Sequence, residues 1–336
     1  MSSRTSSVFA MTVACLAGVG SSISLASTAA SANDYPVRPV RIVLQAAAGS
    51  SPDVVGRTVA QHLAQSWKVG VVIENRPGAG GGIAAKSVIG AANDGYTLLL
   101  ASASLFTIYP AEHGKAVFDV DRDLIPVAHL GEMPFMVVVP STGGLATFTQ
   151  LIAEARREPA KFNLGTNGAG SLPHLAASLL VAKAGAPMTL VPYAQGGAPA
   201  ILNDLLANRV HLTVESVAGL KGAVASGHLR ALAVMSADRL PLFPDVPTVG
   251  ETLPGFTAVG WSVLAAPAGT PAAIVAKINQ AVKAALDDAT LRQRLADLGV
   301  YPRTFSSTEL AAYIRAEQGI WWPLVKAHAA AAANPK

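Results

Sequence analysis

Arg41-Ile42-Val43-Leu44, followed by Gln45-Ala46-Ala47-Ala48-Gly49-Ser50-Ser51-Pro52-Asp53, is the stretch whose reading decides the fold. The aliphatic run predicts a buried strand, and the small residues after it predict a tight loop. Val55, Val59, Leu63 and Trp67 then recur every fourth residue, which places them on one face of a helix. Ser51 is read as the N-cap, with Pro52 at the first helical position, where its missing N–H costs nothing. A strand, a small-residue loop and a helix start in succession bring free backbone N–H groups and the positive end of the helix dipole together. That arrangement binds anions.

The same grammar repeats along the chain. A strand over 69–73 enters the glycine-dense loop 74–82, a helix follows to about Ala92, and Tyr96 to Ala101 forms a third strand ending in Ser102-Ala103-Ser104. Two aliphatic runs lie between Pro126 and Val139. Further on, the strand at Phe162 leads through Thr166-Asn167-Gly168-Ala169-Gly170-Ser171 to a helix opening near Pro173. The strand Thr189 to Tyr193 leads through Ala194-Gln195-Gly196-Gly197 to another at Pro199. Strands over 210–215 and 231–235, a proline-punctuated connector over 240–251 and a strand over 261–266 come next. A helix capped at Thr270-Pro271 follows, then a capping box at Ser306 and Glu309 before the last helix. The alanine tail from Ala329 is expected to fray. This order predicts an α/β protein in which a second α/β half, 134–256, is inserted into a first made of 33–133 and 257–336. Two chain crossings would form a hinge, with the ligand cleft between the halves.

The first 32 residues read as a secretory signal. Arg4 supplies the charge, the run from Val8 to Val19 is apolar, and Ala30-Ser31-Ala32 is an A-x-A cleavage site before Asn33. Export to a periplasm is therefore expected, with cleavage after Ala32. Cys15, the chain's single cysteine, lies in this leader. Cleavage after Ala32 removes thiol and disulfide chemistry, whereas a lipobox reading of Thr12 to Cys15 would instead lipidate it. The net charge of +4 is modest, and no basic run interleaved with aromatics suggests nucleic acid.

The loops invite comparison with nucleotide, hydrolase and metal sites. Gly80 to Ser87 nearly spells a phosphate-binding loop, but Ala85 stands where its glycine belongs. Ile83 likewise breaks a dinucleotide fingerprint, so no nucleotide cofactor is expected. Ser171 and His174 could suggest a secreted hydrolase, yet no nucleophile elbow surrounds Ser171, and the histidines show no metal-ligand spacing. For His174 the structural alternative is a first-turn residue hydrogen-bonded to a loop. No catalytic residue, metal or cofactor is expected. Proline-initiated helices after small-residue loops at Ser51-Pro52, Leu172-Pro173 and Ala198-Pro199 instead suggest several backbone donors converging on one anion.

The motifs Glu74-Asn75-Arg76-Pro77-Gly78, Asp94-Gly95-Tyr96-Thr97-Leu98, Pro173-His174-Leu175-Ala176-Ala177, Val191-Pro192-Tyr193, Pro244-Asp245-Val246-Pro247 and Leu264-Ala265-Ala266-Pro267 add a resemblance. In that order they resemble the Bug-type periplasmic receptors of tripartite tricarboxylate transporters. The resemblance implies a two-lobed type II periplasmic binding fold, each lobe a mostly parallel sheet flanked by helices, closing on a small carboxylate. It implies a monomer that hands its ligand to membrane permease subunits; presentation to a signalling protein is the alternative within the same fold. The ligand residues it implies are Ala47, Ala48, Gly49, Ser50, Ser51 and Asp53 with Ser102 and Ser104 in one lobe. In the other they are Thr166, Asn167, Gly168, Ala169, Gly170, Ser171, His174, Tyr193, Gly196 and Glu215. Two departures stand out: Ala48, Gly49, Ser50 and Ser51 where relatives usually carry a proline followed by three glycines, and Glu215 where they usually carry aspartate.

Overall fold

The computed structural model describes residues 34–115, 117–193 and 197–333. The leader with Cys15 and Ala32, and Gly196 in the loop after Tyr193, lie outside the described residues.

The first sheet is built from β1 (Val40–Leu44), β2 (Val71–Asn75), β3 (Thr97–Ser102), the first part of β4 (Leu124–Pro140) and β9 (Val259–Pro267), in the order β2-β1-β3-β9-β4. The second contains the far part of β4 with β5 (Asn163–Asn167), β6 (Thr189–Tyr193), β7 (Leu212–Ser216) and β8 (Leu229–Val234), in the order β8-β4-β7-β5-β6. In the first sheet only β9 runs against the other described strands, and in the second only β4 does.

β4 is where the two sheets join. Leu124 to Pro134 pair with β9, whereas from Phe135 onward the strand pairs with β7 and β8. The two aliphatic runs read from sequence are thus one 17-residue strand shared between sheets. The intervening Gly131 and Glu132 do not end the strand, because neighbours on both sides supply their hydrogen bonds.

The helices follow from how each covers a sheet. α1 (Ser51–Trp67) buries Val55, Val59 and Leu63 at helical spacing with β1 and β3 residues and α9 (Ala272–Asp287) in one apolar cluster. Gly56 lets α1 approach closely, since a Cβ there would meet a Leu100 methyl at 2.8 Å. Its N-cap is Ser50 rather than Ser51: the backbone turns helical one residue earlier than proline placement suggested, leaving Pro52 in the second helical position. Thr270 does not cap α9 either; its hydroxyl donates to the Pro267 carbonyl, and Pro271 occupies the cap position.

α2 (Gly82–Ile89), α3 (Ala103–His113) and the long α11 (Ser307–Ala333) contribute to the opposite cluster with Trp261, which continues into the second sheet through Val137 and Leu164. α5 (Phe148–Arg157) and α6 (Leu172–Ala184) complete it. α7 (Gly197–Leu206) and α8 (Val217–Ala225) cover the other face of the second sheet. A one-turn helix, α4 (Val120–Asp123), precedes β4, and α10 (Ala289–Asp297) follows α9.

Three readings are corrected here. α3 begins directly where β3 ends, at residues read as the strand's exit. Its residues from Leu105 to Tyr109 are buried all round, so no helical stripe marks it in sequence. α10 is a short polar helix with only Leu291 and Leu295 buried, and it was missed for that reason. The alanine tail does not leave the helix at Ala329: α11 runs on to Ala333, alanine being the strongest helix former. The capping box at Ser306 and Glu309 is formed in both directions, at 3.2 and 2.8 Å.

Candidate functional site

β1 and β3 point their carboxyl ends toward the second sheet, because both run parallel to β4 as it leaves the first. β7 and β5 point theirs back, because β7 is antiparallel to β4 and β5 follows β7. Helices α1, α3, α6 and α8 each begin just past one of these four strand ends. First-turn N–H groups have no intrahelical acceptor, so four partly positive helix ends lie at strand ends directed toward the boundary between the two sheets.

On the first side, the loop over 45–50 is held from below. Asp53 is 3% exposed. One of its oxygens accepts the Gly49 N–H at 2.9 Å and Arg57 Nε at 3.0 Å, and the other accepts Asn75 Nδ2 at 2.8 Å. Asn75 Nδ2 also donates to the Ala46 carbonyl at 3.0 Å, and Arg57 Nη2 donates to Asn75 Oδ1. The Arg57 guanidinium, working against burial, draws the Asp53 carboxyl down to about 2. Asp53 is thereby a positioning residue whose oxygens are engaged beneath the loop, while Ala47, Ala48, Gly49 and Ser51 are exposed above it.

The two serines differ. Ser50 Oγ donates to the Ala47 carbonyl at 2.6 Å and makes no capping bond. Ser51 has an exposed side chain at the helix start. Gln45 Nε2 donates to Ser102 Oγ at 2.7 Å, tying this loop to the start of α3, where Ser104 is half-buried. Gln45 Oε1 is buried with no partner among the described residues. It rests against Gly81, where a Cβ would come within 2.6 Å of it and where φ is +96°. The glycine-dense loop that resembled a nucleotide motif is therefore small to admit Gln45. Asn75, Arg57 and Gln45 were all missed as site residues, although Asn75 belongs to a quoted motif.

On the second side, Thr166 is buried, with Oγ1 and His174 Nδ1 at 2.9 Å. Burial, then the neighbouring His328 ring, hold the His174 imidazole below its ordinary value. Ser171 Oγ accepts the backbone N–H of His174, not its ring, as the α6 N-cap. Serine and histidine thus serve the helix start, and no nucleophile–base pair forms between them. The Ser171 N–H closes the turn onto the Gly168 carbonyl, leaving Ala169 exposed and Gly170 at φ +80°.

Tyr193, Asn167 and Glu215 stand at the ends of neighbouring strands β6, β5 and β7. Asn167 Nδ2 donates to Glu215 Oε2 at 2.5 Å, and Glu215 Oε1 accepts the Ser216 N–H at 2.6 Å. The Tyr193 hydroxyl donates to Asp204 at 2.5 Å; burial, then this carboxylate, push the phenol up to about 12.

The two sets are held apart by β4. Ser102 lies beside Ser262 and through it Gly131, whereas Ser216 lies beside Phe135, four residues farther along. A cavity of about 640 Å³ sits elsewhere, lined by residues including Glu132, Tyr301 and Arg303. None of the sequence-derived candidates lines it, and its Arg303 and Arg239 are paired with Glu132 and Glu251. Among the described residues no helix is long and apolar enough to cross a membrane.

Residues 55–329 match the family described as tripartite tricarboxylate transporter family receptor. The protein BugT of Bordetella pertussis is 34% identical over 319 residues, covering 93% of this chain and 96% of BugT. Among solved structures, an R. palustris protein with adipate is 30% identical at a TM-score of 0.71, covering 88% of this chain and 98% of its own. MatC from Rhodopseudomonas palustris with bound malate is 32% identical at a TM-score of 0.67, covering 87% and 100%.

Proposed function

Since the chain belongs to the tripartite tricarboxylate transporter receptor family, whose members are substrate-binding proteins and not enzymes, we propose that it captures a small carboxylate between two lobes and delivers it to the membrane subunits of such a transporter. A periplasmic location follows from this reading, and a leader cleaved after Ala32 would deliver the protein there as a monomeric receptor. The lobes are residues 33–133 with 257–336, and 134–256, and β4 and β9 form the hinge.

One observation carries this reading: α3 and α8 follow strand ends directed toward each other from the two sheets, Ser102 level with Gly131 of β4 and Ser216 level with Phe135, four residues farther along. Four strand residues span roughly 13 Å. β9 and β4 also separate β3 from β7 sideways, so the gap exceeds this axial distance and admits a small carboxylic acid. The adipate- and malate-bound relatives support ligands of this class. Backbone donors can bind the anion without a cationic side chain, as the family's usual glycines in the first loop also suggest.

Calorimetric titration with adipate, malate, succinate and lactate tests the reading, with small-angle scattering to follow closure. Saturable binding of at least one acid, with a smaller radius of gyration, is expected. No heat and no thermal shift with any of them would sink it.

A further inference from the structure

Asn167 is held so that its acceptor oxygen has nothing to accept from. Its Nδ2 donates to Glu215 Oε2 at 2.5 Å, while Oδ1 is buried without a partner among the described residues. The amide cannot gain by turning over, because that would set Oδ1 against a Glu215 oxygen, acceptor against acceptor. Glu215 is itself fixed: it is 6% exposed, its other oxygen accepts the Ser216 N–H at 2.6 Å, and its backbone is registered against Met136.

Neighbouring donors are engaged elsewhere. Tyr193, registered beside Asn167, gives its hydroxyl proton to Asp204. Thr166, the preceding residue on the strand, pairs with His174. An unmet buried acceptor is costly, whereas a donor brought to it recovers that cost.

Resting on the carboxylate-receptor reading above, we propose that the preferred ligand carries a hydrogen-bond donor, a hydroxyl or amino group, beside its carboxylate, and that Asn167 Oδ1 receives it. Asn167 is then the residue that separates hydroxy and amino acids from plain acids of the same skeleton. Glu215 acts through it, as a positioning residue that decides which way the amide faces. The carboxylate end is left to the helix starts, which do not distinguish these ligands.

Matched pairs test this in the full-length mature protein: succinate against malate and aspartate, and glutarate against 2-hydroxyglutarate and glutamate, by calorimetric titration. The donor-bearing member of at least one set is expected to bind roughly tenfold more tightly than its plain counterpart. In Asn167→Ala that ratio should fall toward one while the plain acid still binds. Glu215→Gln, which frees the amide to face either way, should also reduce the ratio.

Equal affinities within every set would overturn the proposal while leaving the receptor reading intact, a bound water then satisfying Oδ1. A ratio that survives in Asn167→Ala would overturn it equally. Failure of every acid to bind would defeat the receptor reading itself, and this proposal with it. Should Asn167→Ala not fold, the wild-type ratio and Glu215→Gln decide the matter.

Discussion

Asn75 and Asp53, 22 residues apart in sequence, meet at 2.8 Å beneath the first ligand loop, Asn75 Nδ2 donating to Asp53 Oδ1. One ends β2 and the other lies in the first turn of α1, so their bond fixes how strand and helix flank residues 45–50. The exposed loop gets its shape from a network on its buried side.

Asn75→Ala leaves Asp53 Oδ1 buried without its donor. Urea unfolding is expected to show a loss of about 1–3 kcal/mol, with weaker binding of whichever acid the wild type takes. Stability and affinity both unchanged would show that the loop holds its shape without this bond.

Asp53 also sets an acid limit. Its folded value, near 2, lies below the unfolded value of about 3.9. Its contribution is therefore complete above about pH 4 and disappears as pH falls through about 2. Thermal melts from pH 6 to pH 2 should fall more steeply in the wild type than in Asp53→Asn at the acid end. Parallel curves would rule the group out.

Ser51 is the cleaner probe of ligand contact, because Ser50 is already bonded to Ala47. Ser51→Ala should leave the melting temperature of ligand-free protein unchanged and weaken carboxylate binding roughly tenfold. Ser50→Gly should lower stability by about 0.5–1.5 kcal/mol through the lost turn bond. Wild-type affinity in Ser51→Ala would leave the anion to backbone donors alone.

Glu317 is 8% exposed on α11 and accepts from Trp321 and, at 3.2 Å, from Trp261 of the crossing strand β9. Burial raises its carboxyl above the usual range, opposed by the two indole donors. A carboxyl raised on folding penalises the folded state as pH climbs past its unfolded value of about 4.3, and not below it. Glu317→Gln should therefore melt higher than the wild type at pH 7, with the gap closing below about pH 4. A gap independent of pH would point to packing rather than charge.

Much of the molecule was legible in the chain. Aliphatic runs, small-residue loops and helical spacing marked β1, α1, β5, α6 and β6, and the motif order indicated the family. Local chemistry suffices there: the capping box at Ser306 and Glu309 needs only residues three apart. Where a helix is buried on all sides, as α3 is, periodicity vanishes and so does the signal.

What the sequence by itself determined is the alternation of strands and helices, and hence which loops follow strand ends. Tertiary structure alone decided that β4 serves two sheets, that Gln45 reaches Ser102 over 57 residues, and that Asn167 meets Glu215 over 48. Local propensity acts within a few residues, whereas these contacts depend on strand order and register. Register brings distant side chains onto one face, and only there does an amide become fixed with its oxygen unpaired.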